Sequence, residues 1–296
     1  MASYPYVGNG PYCYANCLAM MLGANAPSSS VIEVATCSPF GMQIIEGLPF
    51  FDPTNWDPLI ALDDTLKTLG WSSKEFIGKD AENALKELKS KLHTGPVFVG
   101  PVDLSYLSYQ PGPRGADHYV VVLVVDDMVH LHDPNGHPYA ILPVKDFLSA
   151  WGASLPYGQP FTMRYDFRKL EDVTEDEIIR RTLPNARRWL SEGNNREAAE
   201  TAAKLVKNWH PALYGHMTEF AIRVGARRVA DAAICLERIG YRNASKIMTE
   251  QAKLLGSLQY HVRVKNSTTS AEVLSHLGLT YEPLVQALKG DQGLSA

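Results

Sequence analysis

The sequence predicts an α+β protein in which a domain of helices packed on an antiparallel sheet is followed by an all-α helical domain. Three patterns support this class: apolar residues recur at helical spacing before residue 95, β-branched residues form short runs over residues 96–167, and helical spacing returns after residue 173. The change of composition near residue 170 divides the 296 residues into two parts of ordinary domain size. We therefore expect one domain over residues 1–170 and a second over residues 171–296.

Four helices are expected before residue 95, because apolar side chains recur there every three or four residues, as at Leu62, Leu66 and Leu69. The predicted helices are 13–22, 28–36, 58–69 and 80–92. Residues 38–57 are rich in proline, glycine and aromatic residues, which makes them too apolar for a simple linker. A loop of this length inside a compact domain is often functional.

Strands are expected from residue 96 onward, where the hydrophobic pattern changes from helical to extended. The predicted strands are 96–104, 118–126, 128–132, 139–143 and 161–167. Asp126 and Asp127 separate two β-branched runs, a pattern typical of a tight hairpin. In the second domain we expect helices at 174–191, 195–209, 211–239, 242–263 and 269–289, with a break of the third at Gly225.

Composition excludes several classes of function. The net charge is −4, and the 28 basic and 32 acidic residues are mixed along the chain, so no block of lysine and arginine is available for nucleic acid. The longest apolar run, residues 119–125, is far shorter than the roughly 18 residues of a membrane-spanning helix. The first residues lack the pattern of a secretory signal, so we expect a cytoplasmic protein with reduced thiols.

The four cysteines are therefore explained either by packing or by chemistry. Cys13 lies where the Gly-Pro loop of residues 8–11 gives way to a helix, and the free amides and positive dipole of a helix start favour a thiolate. Cys17 lies one turn further along and is followed by apolar residues, so we expect it to be buried and inert. Packing remains the alternative for Cys13 taken alone.

A histidine and an aspartate in the sheet region complete a possible catalytic group. His118 begins one predicted strand and Asp133 ends the next, so pairing through the turn at residues 126–127 would bring both to one end of the hairpin. A nucleophilic thiol needs a base, and a carboxylate orients the imidazole of that base. We predict that Cys13, His118 and Asp133 are catalytic. No paired metal-ligand spacing is present, so we expect neither a metal nor another cofactor.

The order of these motifs resembles two groups of papain-like proteins. Residues 13–20 loosely match the Cys-Gly-x-Ala-Cys-Leu-x-Met signature of bacteriocin-leader-processing cysteine peptidases, with agreement at Cys13, Cys17, Leu18 and Met20. The succession of residues 103–107 and 117–119 is more similar to the family of butirosin biosynthesis protein H. This likeness covers about residues 8–170, and the helical part is similar to that family's second domain.

The resemblance implies a papain-like first domain that transfers an acyl group through a cysteine thioester. In the namesake, an aminoacyl group moves from a carrier-protein thioester to an aminoglycoside amine. The expected partners are accordingly a small-molecule or peptide substrate and an acyl carrier protein. Hydrolysis of a peptide or amide by the same machinery is the neighbouring alternative, and a catalytically silent binding protein is a third.

The remaining candidate residues concern the oxyanion and the substrate. Papain-like enzymes usually carry a glutamine several residues before the cysteine, but Val7 and Gly8 occupy that region here, so Asn9 is our candidate oxyanion donor, with turn formation as the alternative. Aromatic residues of two loops are candidates for an apolar acyl pocket, although such residues often cap a core. They are Tyr106, Phe50, Phe51 and Trp56. The pair Arg227-Arg228 is either a phosphopantetheine contact or a solvated helix face.

Overall fold

The computed structural model describes residues 11–110 and 112–290. The fold class is α+β, as predicted, with an antiparallel six-stranded sheet and a helical C-terminal part. The α-helices are α1 (Cys13–Leu22), α2 (Ser29–Ala35), α3 (Pro58–Leu69), α4 (Ala81–Leu92), α5 (Val144–Trp151), α6 (Glu175–Glu192), α7 (Asn195–Leu205), α8 (Pro211–Gly215), α9 (Ile222–Arg238), α10 (Arg242–Arg263) and α11 (Ser267–Gly290). The strands are β1 (Gln43–Ile45), β2 (Leu48–Phe50), β3 (Trp71–Ile77), β4 (Val97–Asp103), β5 (Asp117–Val125), β6 (Met128–Asp133), β7 (His137–Pro143) and β8 (Thr162–Lys169).

The described chain forms two compact units. The first contains the residues up to Ile32 together with Asp57–Asp172, and the second contains Glu33–Trp56 and the residues from Val173 onward. The end of the first unit therefore lies close to the predicted boundary near residue 170. Residues 33–56 differ from the prediction, because they belong to the second unit although we assigned them to the first domain.

The first unit is built on a sheet whose strand order is β3-β8-β4-β5-β6-β7, with every neighbouring pair antiparallel. One apolar core lies between this sheet and helices α4 and α5. Its fully buried members include Val97, Val99, Val102, Val120, Val122, Leu131, Phe147 and Trp151. These β-branched runs are the ones from which the strands were predicted, since buried sheet positions favour such side chains.

Two elements of the first unit were missed by the sequence analysis. Strand β3 lies at an edge of the sheet, and four consecutive polar residues (72–75) form its centre, so it lacks the apolar alternation by which strands are recognised. Helix α5 has only eight residues, and Pro143 at its start provides no side-chain cap. Short elements with weak terminal signals cannot be separated from loops by periodicity alone.

Helix α1 packs against β5, the strand that begins next to His118. The rings of Tyr14 and Tyr119 meet edge to face with centroids 6.0 Å apart. Gly100 lies against the ring of Tyr119, where a Cβ would approach Cδ1 to 2.4 Å, and its φ of 155° also disfavours any other residue. The start of α1 and the start of β5 are in this way brought together.

Buried charges explain why residues 33–56 belong to the second unit. Arg228 in α9 is 5% exposed and donates to Glu33 Oε1 over 2.7 Å and to Asp52 Oδ2 over 3.1 Å. Ser38 and Gln43 add hydrogen bonds to the same two carboxylates. Buried ions are tolerated only when they are paired in this manner. Neither interpretation of Arg228 from the sequence is correct, since it is neither a solvated residue nor accessible to a phosphate.

Neutral polar contacts hold the same segment within the second unit. The side chain of Asn195 accepts a hydrogen bond from Met42 N over 2.9 Å and donates to the carbonyl of Leu190 over 2.8 Å. Within the segment, Trp56 Nε1 donates to the carbonyl of Thr36 over 2.8 Å and so joins its two ends. The segment carries the short hairpin formed by β1 and β2, which was expected to be a loop.

The predicted break at Gly225 is wrong. Gly225 lies inside α9, where a Cβ would come within 2.6 Å of the Phe51 ring, so the glycine permits close packing. The irregularity comes earlier, as a π-helical turn at His216–Ala221 between α8 and α9.

No helix within the described ranges combines the length and the hydropathy that crossing a membrane requires.

Replacement of Arg228 by methionine should destabilise the second unit strongly. The Arg228→Met variant leaves Glu33 and Asp52 buried without their counter-charge, and we expect a loss of about 3–5 kcal/mol in the free energy of unfolding, measured by urea denaturation. Arg227→Met is the matched control, because Arg227 is partly exposed and lies 3.6 Å from Asp231. The free energy of unfolding of this control should fall by about 1 kcal/mol or less. Equal losses in the two variants would contradict the role assigned to the buried ion pairs.

Candidate active site

Cys13 is the first residue of α1, and its side chain is partly exposed. The preceding residue, Tyr12, has a left-handed backbone with a φ of 87°, a conformation that is uncommon outside glycine and clusters at functional sites. The first backbone hydrogen bond of the helix joins Asn16 N to the carbonyl of Tyr12, so the amide of Cys13 lies outside the helical ladder. The positive end of the helix at this position stabilises negative charge on a sulfur.

His118 and Asp133 lie at the same end of the β5–β6 hairpin. The two strands pair from the turn at residues 126–127, with one shift of register between Val122 and Val124. His118 Nε2 donates to Asp133 Oδ1 over 2.7 Å, and both side chains are buried. The predicted proximity of these two residues is confirmed.

Cys13 is the third member of this group. Its side chain is a hydrogen-bond partner of the His118 ring, and because Nε2 is bound to Asp133, Nδ1 is the ring nitrogen left for the sulfur. Burial of the ring favours its neutral form, but the charge and hydrogen bond of Asp133, followed by those of Cys13, raise the pKa of His118 to about 10. The imidazole is therefore protonated at neutral pH, beside a sulfur at a helix start.

The carboxylate of Asp133 accepts hydrogen bonds at both of its oxygens. Oδ1 accepts from His118 Nε2 and from the backbone N–H of Asn135, both over 2.7 Å. Oδ2 accepts from Tyr109 OH over 2.8 Å and from the Gln110 side-chain amide. The side chain is fully buried, so these donors replace the water that an exposed carboxylate would bind.

The protonation state of Asp133 follows from these contacts. Burial alone would raise the pKa of its carboxyl group, but the positive charge and hydrogen bond of His118 lower it, and the donors at Asn135 and Tyr109 lower it further. The net effect is a pKa below the ordinary value. Asp133 is accordingly ionised at neutral pH and supports an imidazolium at His118.

The other three cysteines are buried. Burial raises the pKa of the Cys17 thiol well above its ordinary value, and the charges of Cys13 and Asp133 raise it further. Burial likewise raises the pKa of Cys235, to about 12. A thiol that stays protonated is a poor nucleophile, so Cys13 differs from the rest in both exposure and neighbours.

The candidate residues for the oxyanion and the substrate have different outcomes. Asn9 lies outside the described residues, and its role stays a prediction. Tyr106 belongs to the first unit, where it follows β4 and is 38% exposed, which leaves its ring accessible. Its substrate-binding role also stays a prediction.

The three aromatic residues of segment 33–56 belong to the second unit. Phe51 and Trp56 are buried in its core, where Arg228 lies 5.8 Å from the centre of the Trp56 ring. Their role is packing, which is the alternative that the sequence left open. Phe50 is partly buried and contacts the ring of His216, with centroids 4.5 Å apart. A substrate-binding role for Phe50 stays a prediction.

The sequence analysis did not identify the residues that hold Asp133. Asn135 carries a signal in retrospect, since an aspartate that accepts from the backbone N–H two residues ahead is a common start of a turn. Tyr109 and Gln110 carry none, because they belong to a loop whose position depends on tertiary packing.

Across residues 11–110 and 112–290, no group of three or more His, Cys, Asp or Glu side chains is placed to hold a metal ion.

Comparison with known proteins finds similarity in both units. Residues 191–289 match the protein family described as the YobF C-terminal domain. Over 271 residues the chain is 28% identical to the uncharacterized protein YobF of Bacillus subtilis (strain 168), and the alignment covers 85% of this chain and 87% of that protein. The similarity to YobF therefore extends well beyond the helical part that the family description covers.

The interaction of His118 with Asp133 should make stability depend on pH. Because the pKa of His118 is raised from 6.5 to about 10, its contribution is complete below pH 6.5 and is lost as the pH rises through about 10. In a Cys13→Ala protein Asp133 still raises the pKa of His118, although the raising effect of Cys13 is lost. We expect this protein to lose stability as the pH rises above 6.5, relative to Cys13→Ala/His118→Gln, measured by urea denaturation at several pH values. The shared Cys13→Ala change removes the titration of that thiol from the comparison.

A control removes a different imidazole of the same unit. His93→Gln, in the same Cys13→Ala background, changes an exposed histidine that follows α4. It should leave the pH dependence of stability as it is in the parent protein. A constant difference between the parent and the His118→Gln protein from pH 6.5 to 10 would contradict a charged His118.

Proposed function

We propose that the first unit is a cysteine-dependent acyl-transfer enzyme in which Cys13 is the nucleophile. One observation carries this proposal: a partly exposed cysteine at a helix start is the hydrogen-bond partner of an imidazole whose other nitrogen is bound to a buried, ionised carboxylate. Nucleophile, base and orienting group are the parts that acyl transfer through a thiol requires.

In the first half of the proposed reaction, the Cys13 thiolate attacks the carbonyl carbon of a thioester or an amide. A carbon–sulfur bond forms, and the carbonyl oxygen becomes an oxyanion that the backbone N–H of Cys13 can stabilise at the start of α1. When the tetrahedral species collapses, the bond to the leaving group breaks, and protonated His118 donates its proton to the leaving thiol or amine. The acyl group then remains on Cys13 as a thioester.

In the second half, an acceptor attacks the thioester carbonyl and neutral His118 takes the proton that the acceptor loses. The bond to sulfur breaks, which restores the thiolate and the imidazolium. An amine as acceptor gives an amide by acyl transfer, and water gives a carboxylic acid by hydrolysis. The resemblance to the family of butirosin biosynthesis protein H favours an amine, with an acyl carrier protein as the donor. Free thiols at all four cysteines suit the reducing cytoplasm that we propose as the location.

Acyl-enzyme formation tests the nucleophile directly. We expect the wild-type protein, incubated with an aminoacyl or acetyl thioester of N-acetylcysteamine, to gain the mass of one acyl group at Cys13 in intact and peptide mass spectra. Cys13→Ala should gain none. Cys17→Ala is the matched control, because it removes a buried thiol one turn away and should be acylated like the wild type.

Two results would contradict this assignment. Acylation of Cys13→Ala to the wild-type extent would place the nucleophile elsewhere. Absence of any adduct, together with labelling of Cys13 by iodoacetamide only at the alkaline pH of about 8.5 at which ordinary free thiols react, would favour a silent binding protein.

The acceptor is tested separately with the acylated protein. We expect an aminoglycoside or a polyamine to release the acyl group as an amide at least tenfold faster than buffer releases it as an acid, measured by mass spectrometry of the products. Glycerol at equal concentration is the control for a solute without an amine. Release as the acid at the same rate with and without the amines would assign hydrolysis, the alternative fate of the same acyl-enzyme.

A further inference from the structure

The carboxylate of Asp133 is bound by groups outside the proposed catalytic set. Tyr109 OH and the Gln110 side-chain amide donate to Oδ2, and the backbone N–H of Asn135 donates to Oδ1. His118 Nε2 donates to the same Oδ1. A carboxylate bound at both oxygens cannot rotate about its Cβ–Cγ bond without breaking hydrogen bonds in a buried environment, where each is costly to lose.

The orientation of the Gln110 amide is itself determined by a neighbour. Its oxygen accepts a hydrogen bond from the Asn135 side-chain amide over 2.8 Å, so its nitrogen must be the atom that faces Asp133. Asn135 in turn is bound to Asp133 through its backbone. The three residues form a closed ring of hydrogen bonds, and Gln110 within it is only 7% exposed.

The loop that carries Tyr109 and Gln110 is held at both ends by Asp103. Asp103 Oδ1 accepts from the backbone and hydroxyl of Ser105, and Oδ2 accepts from Gly115 N over 3.1 Å. Asp103 therefore stabilises the turn. Within the loop, Gln110 N donates to the carbonyl of Leu107 over 3.0 Å. The donors to Asp133 are thus presented by a constrained segment.

We propose that Tyr109 and Gln110 are positioning residues that hold the Asp133 carboxylate in the orientation at which Oδ1 binds His118 Nε2. This inference rests on the proposed function, because it assigns to the two residues a task in the same group. Neither residue touches the reacting atoms. Their effect on Cys13 passes through Asp133 and His118.

Positioning differs from the other effect that these donors could have. Hydrogen bonds to Oδ2 also draw negative charge away from the carboxylate, which would weaken its support of the imidazolium at His118. If that effect dominated, removing the donors would raise the pH at which His118 titrates. If positioning dominates, removing them allows the carboxylate to turn away, and the titration of His118 moves to lower pH. The direction of the shift therefore separates the two.

The test is the titration of His118 in the purified full-length protein, followed by NMR of ring-labelled histidine and assigned with His118→Gln. We expect Tyr109→Phe/Gln110→Ala to lower the midpoint by about one pH unit. Tyr109→Phe alone keeps the ring and its contact with His137, removes only the hydroxyl, and should give a smaller downward shift. Tyr165→Phe, the same chemical change in β8, is the matched control and should leave the midpoint unchanged.

A second measurement follows Cys13 with iodoacetamide as the probe. At pH 7 the rate constant for its alkylation should fall in the double variant, because a ring that Asp133 no longer orients is not held beside the sulfur, and it should remain at the wild-type value in Tyr165→Phe. Thermal melts of each variant distinguish unfolding of the protein from reorientation of the Asp133 carboxylate. Tyr109→Phe should melt close to the wild type. A midpoint that is unchanged or raised in both Tyr109→Phe and the double variant would overturn the proposal.

The two proposals fail in different ways. A downward shift of the His118 midpoint, together with acylation of Cys13→Ala, would support the positioning role and reject Cys13 as the nucleophile. An unshifted midpoint in a protein that acylates normally at Cys13 would reject the positioning role and leave the proposed function standing.

Discussion

The arrangement of the first unit depends on one buried hydrogen bond, that between His118 Nε2 and Asp133 Oδ1. Burial of either charged side chain without the other would strongly destabilise the fold, because an isolated charge in the interior loses its hydration without gaining a partner. The hairpin of β5 and β6 brings the two side chains to one end of the sheet, and α1 places Cys13 beside the ring. The charge on Asp133 then keeps the imidazole protonated, so the chemistry proposed for the sulfur follows from the burial of the carboxylate.

The donors around Asp133 illustrate how a protein replaces water around a buried ion. Their hydrogen bonds favour the ionised form of the carboxylate and restrict its orientation at the same time. They come from a turn that follows β6 and from a loop that follows β4, so two separate stretches of chain are needed to complete the environment of a single side chain. The order of thiol, imidazole and carboxylate along the sequence would not by itself give this environment. The donors to the carboxylate are needed as well.

Buried charges are also paired in the second unit, where the pairing holds a segment of chain in place. Arg228 compensates Glu33 and Asp52 in the interior and thereby holds residues 33–56 within this unit, although they are flanked in sequence by residues of the first. Burial raises the pKa of Asp52, and the charge of Arg228 and the hydrogen bond from Gln43 oppose that shift. In both units, the polar groups that water cannot reach determine which segments of chain lie together.

Local patterns in the sequence determined the fold class, most helices of both units, and the hairpin that brings His118 to Asp133. Apolar periodicity and turn residues act over a few positions, so they are readable without knowledge of the rest of the chain. Tertiary structure alone decided that residues 33–56 belong to the second unit, that Phe51 and Trp56 serve its core, and that Tyr109 and Gln110 bind Asp133. These outcomes depend on partners far away in sequence, such as Arg228 for Asp52 and Asp133 for Tyr109, and the pairing of buried polar groups at such distances leaves no periodic signal in the chain.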